Sequence, residues 1–189
     1  MSDTLIIDTG SSSIVEEKIE PLPLYDDNYP MLSMVMPEYN QKLPNVKMTT
    51  IVKSLKMTMK LYGGIGLSAN QCGIKERVFI IGTDYFQLAC INPKVISMSE
   101  DLQKENEGCL SFPGLYLRVD RPSSIDVEFT TENGEVKQMH LEGLTARCFL
   151  HELDHMNGIK FTSHVKPLSL QMAKKKQQKV MKKVLRNRK

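Results

Sequence analysis

The segment HELDH at residues 151–155 constrains this chain most, because it places two histidines four residues apart in a stretch of helical composition. Side chains four residues apart lie on one face of a helix, so His151 and His155 can bind one metal ion. Glu152 follows the first histidine and can exchange a proton with a water molecule activated by that ion. The sequence therefore predicts a helix that carries two metal ligands, His151 and His155, and a general acid and base, Glu152.

A catalytic site of this kind needs a third protein ligand, and the residues after the motif do not supply one in a known peptidase pattern. The extended pattern HExxHxxGxxH has its glycine at Gly158, but Phe161 occupies the position of the third histidine. No Asp or Glu occurs from residue 156 to residue 189, and the spacing of His164 fits no pattern that we can justify. The third ligand is therefore expected upstream of the motif.

The cysteines are the soft donors upstream of the motif: Cys72, Cys90, Cys109 and Cys148. Cys148 precedes His151 by three residues, and a helix rises about 1.5 Å per residue, so Cys148 lies roughly 10 Å from His155 along the axis. We interpret Cys148 as a buried small side chain rather than a ligand of the same ion. Cys109 is the stronger candidate, because Gly108 beside it lets backbone approach an ion or a substrate closely.

Three segments together resemble the signature motifs of the peptide deformylase family. They are GIGLSANQ at 64–71, EGCLS at 107–111 and HELDH at 151–155, and the resemblance covers roughly residues 21–165. It implies an α+β fold in which mixed or antiparallel sheets surround the HExxH helix, followed by a C-terminal helix. It also implies that the chain hydrolyses the formamide of N-formylmethionyl peptides of newly made proteins and releases formate.

The same resemblance implies roles for single residues. Cys109 would be the thiolate ligand, Gln71 would donate from its amide to charge developing on the formyl oxygen, and Leu110 would donate from its backbone N–H. Backbone at Gly64 and Gly66 would pair with an extended peptide. Further residues would line the pocket for the methionine side chain: Ile65, Gly108, Leu144, Arg147 and Cys148.

One divalent metal ion per chain is expected. A thiolate with two imidazoles suits Fe(II), Zn(II), Ni(II) or Co(II), and the resemblance implies Fe(II) as the native metal. The chain departs from common versions of the family at Ser68, Tyr116 and Leu150. Tyr116 stands where some members carry a substrate-binding arginine, so recognition of the peptide backbone is left open, although Arg118 is close by.

The order of expected elements agrees with one α+β domain. Apolar residues at helical spacing predict helices over 46–62, 144–157 and 169–186, and glycines end the first two. Apolar and β-branched runs predict strands over 77–81, 89–98, 123–130 and 135–141, the last two joined by the hairpin signal Asn133-Gly134. We divide the chain into a loose extension (1–20), a catalytic domain (21–165) and a basic C-terminal helix or tail (166–189).

Composition indicates the cellular compartment in which the chain functions. No apolar run approaches the roughly 18 residues that span a membrane. The first twenty residues carry five acidic side chains against Lys18 alone, which is not typical of a transit peptide or a secretion signal. Four cysteines without framework spacing agree with a reducing compartment. We expect a cytoplasmic monomer, in a bacterium or a phage-infected host.

Charge is segregated along the chain. Eleven of its 25 Lys and Arg residues and none of its 22 acids lie within 156–189, which leaves fourteen basic against 22 acidic residues in the remainder. One interpretation is a solvated charged helix. The other is electrostatic docking on ribosomal RNA, which would bring the enzyme to emerging chains and for which the family offers a precedent.

Two other functions compete with this reading. A zincin-type metallopeptidase is disfavoured because the downstream ligand is absent. A ribosome-binding module that keeps the fold without the activity is disfavoured because the residues needed for catalysis are all present. Replacing Cys109 with alanine separates the first rival, since a peptidase would keep its metal and a deformylase would lose it.

Overall fold

The computed structural model of this chain describes residues 19–83 and 85–187. The expected extension over 1–20 therefore lies outside the described residues, except for its last two. The described chain forms three α-helices, three short 3-10 turns and seven strands. The helices are α1 (Val46–Leu61), α2 (Gly143–Met156) and α3 (Pro167–Asn187), and the turns are Pro30–Ser33, Ala69–Cys72 and Phe161–His164. The strands are β1 (Gly66–Ser68), β2 (Val78–Gly82), β3 (Gln87–Met98), β4 (Leu102–Gly108), β5 (Tyr116–Pro122), β6 (Ser124–Thr130) and β7 (Val136–Glu142).

The strands form two sheets with α2 packed against both. Five strands pair in the order β1-β2-β3-β6-β7, and β4 pairs with β5 in a separate hairpin. Every strand pair that the structure describes is antiparallel. Helix α2 contacts β1, β2, β6 and β7 of the larger sheet and β5 of the smaller one. The predicted α+β fold, with sheets around the motif helix and a helix at the C-terminus, is confirmed.

Helix α1 forms the outer support of the glycine-rich segment. The side chain of Asn45 accepts a hydrogen bond from the backbone N–H of Met48, which caps the first turn. The helix buries a stripe of apolar side chains against β1 and β2: Met48, Ile51, Val52, Leu55 and Met59. It ends before Gly63, whose φ of +66° reverses the chain into Gly64 and β1.

The hairpin expected at Asn133-Gly134 joins β6 and β7. Gly134 has a φ of +87°, and its N–H donates to the carbonyl of Thr131. Inward side chains alternate along β6, where Ile125, Val127 and Phe129 are buried. This alternation places the apolar face of the large sheet on α2, as the period of two residues requires.

The hairpin of β4 and β5 was not predicted. Six of the seven β4 side chains are exposed, so the strand shows no alternation of apolar and polar residues. Strand β5 does alternate, with Leu117, Val119 and Arg121 buried. Because β4 ends at Gly108, this hairpin delivers the EGCLS segment to the side of α2.

Helix α3 contacts the rest of the protein through its first half, up to Gln177, whose side-chain amide donates to the carbonyl of Pro113 at 2.7 Å. Leu170 and Ala173 pack on a small cluster that includes Phe112 and Phe161. Val180, about two helical turns beyond Ala173, is 50% exposed. Within the described chain, no helix is both long enough and apolar enough to cross a membrane.

Candidate metal centre and active site

The motif helix brings its three predicted residues together inside the protein. His151, Glu152 and His155 are all buried on α2. The two imidazole rings lie 5.1 Å apart between centroids and are nearly perpendicular, so both can point at a common position. The four-residue spacing places both imidazoles on one face of α2, as the sequence predicted.

Cys109, directly after β4, faces the same position. Its Sγ lies 3.3 Å from Nε2 of His155. One donor atom each from Cys109, His151 and His155 lies within 4.8 Å of the other two, a spacing that could hold a metal ion. Cys148 is elsewhere: it is buried, and its thiol donates to the carbonyl of Ile65 at 3.2 Å.

The residues present fit a divalent metal ion. One sulfur and two imidazole nitrogens match the donors that Fe(II), Zn(II), Ni(II) and Co(II) accept. Among the described residues, Oε2 of Glu152 and Nδ1 of His155 are buried without a hydrogen-bond partner. Buried polar atoms are normally satisfied, so an orphaned carboxylate oxygen beside three metal donors indicates a missing polar ligand.

A buried carboxylate fixes the orientation of His151. Oε2 of Glu107 lies 3.2 Å from Nδ1 of His151. Because an ionised carboxylate only accepts, Nδ1 must carry a proton, and Nε2 is therefore the ring nitrogen that can bind an ion. Burial would raise the pKa of Glu107, but hydrogen bonds from His151 and Arg121 lower it to about 2. The carboxylate is therefore ionised at every physiological pH.

Two arginines hold Glu107 in place. Arg121 donates from Nε and Nη2 to the two carboxylate oxygens at 2.9 and 3.0 Å, and Arg147 donates from Nη1 at 2.7 Å. Arg147 also donates to the carbonyls of Val119 and Gln103. Arg147 was predicted to line the methionine pocket. It does lie in the cavity wall, but its guanidinium is engaged by these three partners.

Burial and hydrogen bonds together set the pKa values of Glu152, His155 and His151 in the metal-free chain. It raises the pKa of Glu152 to about 7. Burial also lowers the pKa of His155 well below its usual value, which keeps that imidazole neutral. Burial opposes the charge on His151 as well, yet hydrogen bonds with Cys109 and Glu107 raise its pKa to about 10. A metal ion must therefore displace a proton from His151.

Ser68 orients the predicted oxyanion donor, Gln71. The Gln71 Oε1 atom accepts from the backbone N–H of Ser68 at 3.0 Å and from its hydroxyl at 2.9 Å. The amide Nε2 is consequently turned toward Sγ of Cys109 at 3.4 Å and Oγ of Ser111 at 3.1 Å. Ser68, one of the departures from the family pattern, thus helps to hold the amide.

A cavity of about 440 Å³ opens onto these groups. Its walls include every residue predicted to bind substrate: Gly64, Ile65, Gly66, Gly108, Leu144, Arg147 and Cys148. Leu144 and Tyr116 are 66% and 68% exposed, which places them at the rim. Gln71, Cys109, Leu110, His151 and Glu152 also face the cavity. The assigned roles of these residues stay predictions.

Two glycines of the cavity wall lie so close to neighbouring side chains that a Cβ would require those side chains to move. A Cβ on Gly66 would lie 2.5 Å from Oε1 of Glu152 and 2.7 Å from Sγ of Cys148. A Cβ on Gly64 would lie 2.8 Å from Cδ1 of Leu110. The glycine-rich segment therefore allows the edge strand β1 to run against the catalytic groups.

Several residues around the site were missed in the sequence analysis. Arg121, Ser111 and Asp154 had no assigned role, and Glu107 was quoted only as part of its motif. Asn70 was also missed; its Nδ2 donates to the carbonyl of His155 at 2.7 Å. A signal was present for Glu107 alone, because an acid two residues before a metal-binding cysteine is a natural partner for a ligand histidine.

Comparison with known proteins agrees with this geometry. A sequence model of the family described as polypeptide deformylase matches residues 21–171. A peptide deformylase of Prochlorococcus marinus strain NATL2A is 43% identical over 120 residues, 61% of this chain and 59% of that protein. The chain thus spans about three-fifths of the length of this relative. A second, from strain MIT 9515, is 34% identical over 163 residues, which cover 82% of this chain and 79% of the relative.

Solved structures resemble the chain over most of its length. A crystal structure of a Synechococcus elongatus peptide deformylase in complex with actinonin has a TM-score of 0.78 at 34% identity, covering 82% of this chain and 87% of that one. A peptide deformylase from Legionella pneumophila has a TM-score of 0.79 at 30% identity, with 89% and 99% covered. Because the family model matches residues 21–171 and the fold agrees with that of solved deformylases, the chain belongs to the peptide deformylase family.

Proposed function

We propose that this chain is a peptide deformylase, a metal-dependent hydrolase that removes the formyl group from N-formylmethionyl peptides of newly made proteins and releases formate. The observation that carries the proposal is the convergence of Cys109, His151 and His155 beside the buried carboxylate of Glu152, at one cavity. A linear formamide at the end of a peptide is small enough to reach this group of atoms from the cavity.

Cys109, His151 and His155 would hold one divalent ion. When bound, the ion would polarise the formyl oxygen and lower the pKa of a water molecule. We propose Fe(II) as the native metal, with Zn(II), Ni(II) or Co(II) as alternatives that suit the same donors. The hydrogen bond from Nδ1 of His151 to Glu107 supports this site, because it leaves Nε2 available to the ion.

Glu152 would act as general base and then as general acid. Its pKa of about 7 lies close to neutral pH, where a carboxyl group can both accept and return a proton. It would take a proton from the attacking water and later deliver it to the amine that leaves. Its unpartnered Oε2 is consistent with a group that contacts water or substrate.

Gln71 and Leu110 would stabilise the negative charge that develops on the formyl oxygen. The amide N–H of Gln71 is already oriented by Ser68 and needs little reorganisation when charge appears. The backbone N–H of Leu110, next to Cys109, would be the second donor. Two donors that are fixed before the reaction stabilise the transition state more than mobile donors, because they lose no orientational freedom when it forms.

The peptide would lie along β1. Strand β1, which begins at Gly66 just after Gly64, is the edge of the larger sheet, and an extended peptide can add to an edge strand through main-chain hydrogen bonds. The methionine side chain would enter the cavity among Ile65, Leu144 and Cys148, with Gly108 and Arg147 in the wall. The cavity volume lies within the range typical of small-molecule sites.

We further propose that the basic helix α3 docks on ribosomal RNA. Six lysines on α3 are exposed: Lys174, Lys175, Lys176, Lys179, Lys182 and Lys183. No acidic residue occurs within 166–189 to offset them. Such a charge supports contact with phosphate but offers no reading of base sequence. The chain would act as a monomer in the cytoplasm of a bacterium or a phage-infected host.

The decisive experiment is anaerobic turnover of formyl-Met-Ala-Ser, with metal analysis of the same sample. We expect formate release, about one metal ion per chain, and no turnover by a Glu152→Gln variant that keeps its metal. Glu135→Gln is the matched control, because that side chain is 64% exposed in the β6–β7 hairpin. Bound metal without formate would reject the deformylase assignment in favour of another amide substrate.

A further inference from the structure

A continuous line of polar contacts connects the ligand His151 with a side chain at the surface. Glu107, which accepts from His151, is held by Arg121. Arg121 also donates from Nη1 to Oδ2 of Asp154 at 2.7 Å. The same Oδ2 atom lies 2.7 Å from Nε2 of His164. His164, with a side chain 32% exposed, is the outer end of this line.

The donor in the last contact is unambiguous. The carboxylate of Asp154 is paired with Arg121 and can only accept, so Nε2 of His164 must carry the hydrogen. Asp154 itself lies on α2 between the two histidines of the motif. Asp154 is therefore the residue through which both Arg121 and His164 contact the turn of α2 that carries His151 and His155.

The 3-10 turn Phe161–His164 contacts the site twice. A 3-10 helix has three residues per turn, so Phe161 and His164 project from the same face. The ring of Phe161 lies 5.6 Å from the ring of His151 between centroids and meets Phe112 edge-on at 5.2 Å. One face of this short turn thus packs on a metal ligand and hydrogen-bonds the residue next to the other ligand.

We propose that His164 is a positioning residue of the metal site. By donating from Nε2 to Asp154, it holds that carboxylate against Arg121. Arg121, anchored at Nη1, keeps both oxygens of Glu107 in the orientation that accepts from Nδ1 of His151. Partners of this kind orient a ligand imidazole, and their removal typically weakens metal binding by about 10–100-fold.

Three variants test the proposal. His164→Phe keeps a ring but removes the donor, and His164→Gln restores an N–H donor near the position of Nε2. His140→Phe is the matched control, because His140 also contacts carboxylates, Asp126 at 2.7 Å and Glu142 at 3.2 Å, but on an exposed face of β7. The readouts are the rate of Zn(II) release to a chelator and the absorption spectrum of the Co(II)-loaded chain.

We expect His164→Phe to release Zn(II) about 10-fold faster and to shift the Co(II) absorption bands, while His164→Gln and His140→Phe stay within about twofold of the wild type. If His164→Phe does not fold, His164→Ala removes the same donor without adding a larger apolar ring. An unchanged release rate and spectrum in the variant without the donor would overturn the proposal. So would an equal effect in His140→Phe, or a lower melting temperature of the metal-free variant with unchanged metal release.

The inference rests on the metal site of the proposed function, but none of its readouts requires turnover. A wild-type chain that binds no metal would reject the metal site itself. A wild-type chain that binds metal but releases it at the same rate as His164→Phe would reject only the role of His164. The two failures are therefore distinguishable in one experiment.

Discussion

The carboxylate of Glu107 lies 3.2 Å from Nδ1 of His151 and is ionised, so this imidazole is oriented from inside the protein without any ion. Two buried arginines, Arg121 and Arg147, surround that carboxylate. The metal site thus depends on a buried charge cluster that joins β4, β5 and α2. Charges buried in this way are costly to separate, because removal of one partner leaves the others uncompensated.

Glu107→Gln is expected to weaken both the fold and the metal site. It leaves Arg121 with Asp154 as its remaining carboxylate partner and Arg147 with backbone carbonyls, which should cost about 3 kcal/mol of the free energy of unfolding. It should also weaken metal binding by about 10–100-fold, since the ligand His151 loses a charged partner. Urea unfolding and metal titration measure the two effects. Glu105→Gln, an exposed neighbour on β4, should change neither; an equal loss there would contradict the assignment.

Cys109→Ala should abolish stoichiometric metal binding, because two imidazoles alone are left as ligands. Cys148→Ala should keep about one metal per chain, since the Cys148 thiol donates to the carbonyl of Ile65 instead. Metal analysis after dialysis distinguishes the two variants. Retention of metal by Cys109→Ala would contradict the assignment of Cys109 as a metal ligand.

Glu152 makes the stability of the metal-free chain depend on pH. Its folded pKa of about 7 lies above the ordinary value of 4.5, so the folded state binds a proton that the unfolded state releases. The stabilisation is complete below pH 4.5 and is lost as the pH rises to about 7. Above pH 7, Glu152→Gln should be more stable than the wild type by about 3 kcal/mol. Urea unfolding in a chelator at pH 4.5 and pH 8 measures this difference; a constant difference would contradict it.

Gly66→Ala should reduce kcat more than Gly64→Ala. The new methyl group on residue 66 would press on the carboxylate of Glu152 and on the sulfur of Cys148, both of which are buried. The methyl group on residue 64 would meet the end of the flexible Leu110 side chain, which can rotate away. Steady-state kinetics with formyl-Met-Ala-Ser compares the two; equal values of kcat would show that Gly66 has no special contact with the base.

Replacing Lys174, Lys175 and Lys176 with glutamine should weaken binding to ribosomes. Three fewer phosphate contacts should lower the slope of log K against log salt by roughly 2–3. The matched control removes the same charge elsewhere, from Lys94, Lys104 and Lys137, which lie on strands. Sedimentation with ribosomes at several salt concentrations is the measurement; an equal effect of both triple variants would indicate net charge rather than α3.

Local pattern was enough to predict much of the fold. The spacing of Met48, Ile51 and Leu55 predicted α1, and the pair Asn133-Gly134 predicted the hairpin that β6 and β7 form. Both signals depend on residues close in the sequence. The spacing of His151 and His155 likewise predicted their shared face of α2, because a helix converts four residues into one turn.

The rest depended on contacts between distant segments. Strand β4 lies beyond the edge of the apolar core and carries polar side chains, so nothing local identified it. Arg121 reaches Glu107, fourteen residues away, and Asp154, 33 residues away. A single sequence contains many arginines, and only the folded chain shows which of them is buried between two carboxylates.

Cys109 directly follows strand β4 of the small hairpin, whereas His155, 46 residues later, lies on α2. An ion bound by both residues would act as a removable cross-link between the β4–β5 hairpin and α2. A covalent link across this span would restrict the unfolded chain by about 4 kcal/mol. Oxidation or chelation at the metal site would therefore do more than stop catalysis: it would remove one link between the β4–β5 hairpin and α2, and would leave the buried ion pairs of Arg121 with Asp154 and of Arg147 with Glu107 to hold them together.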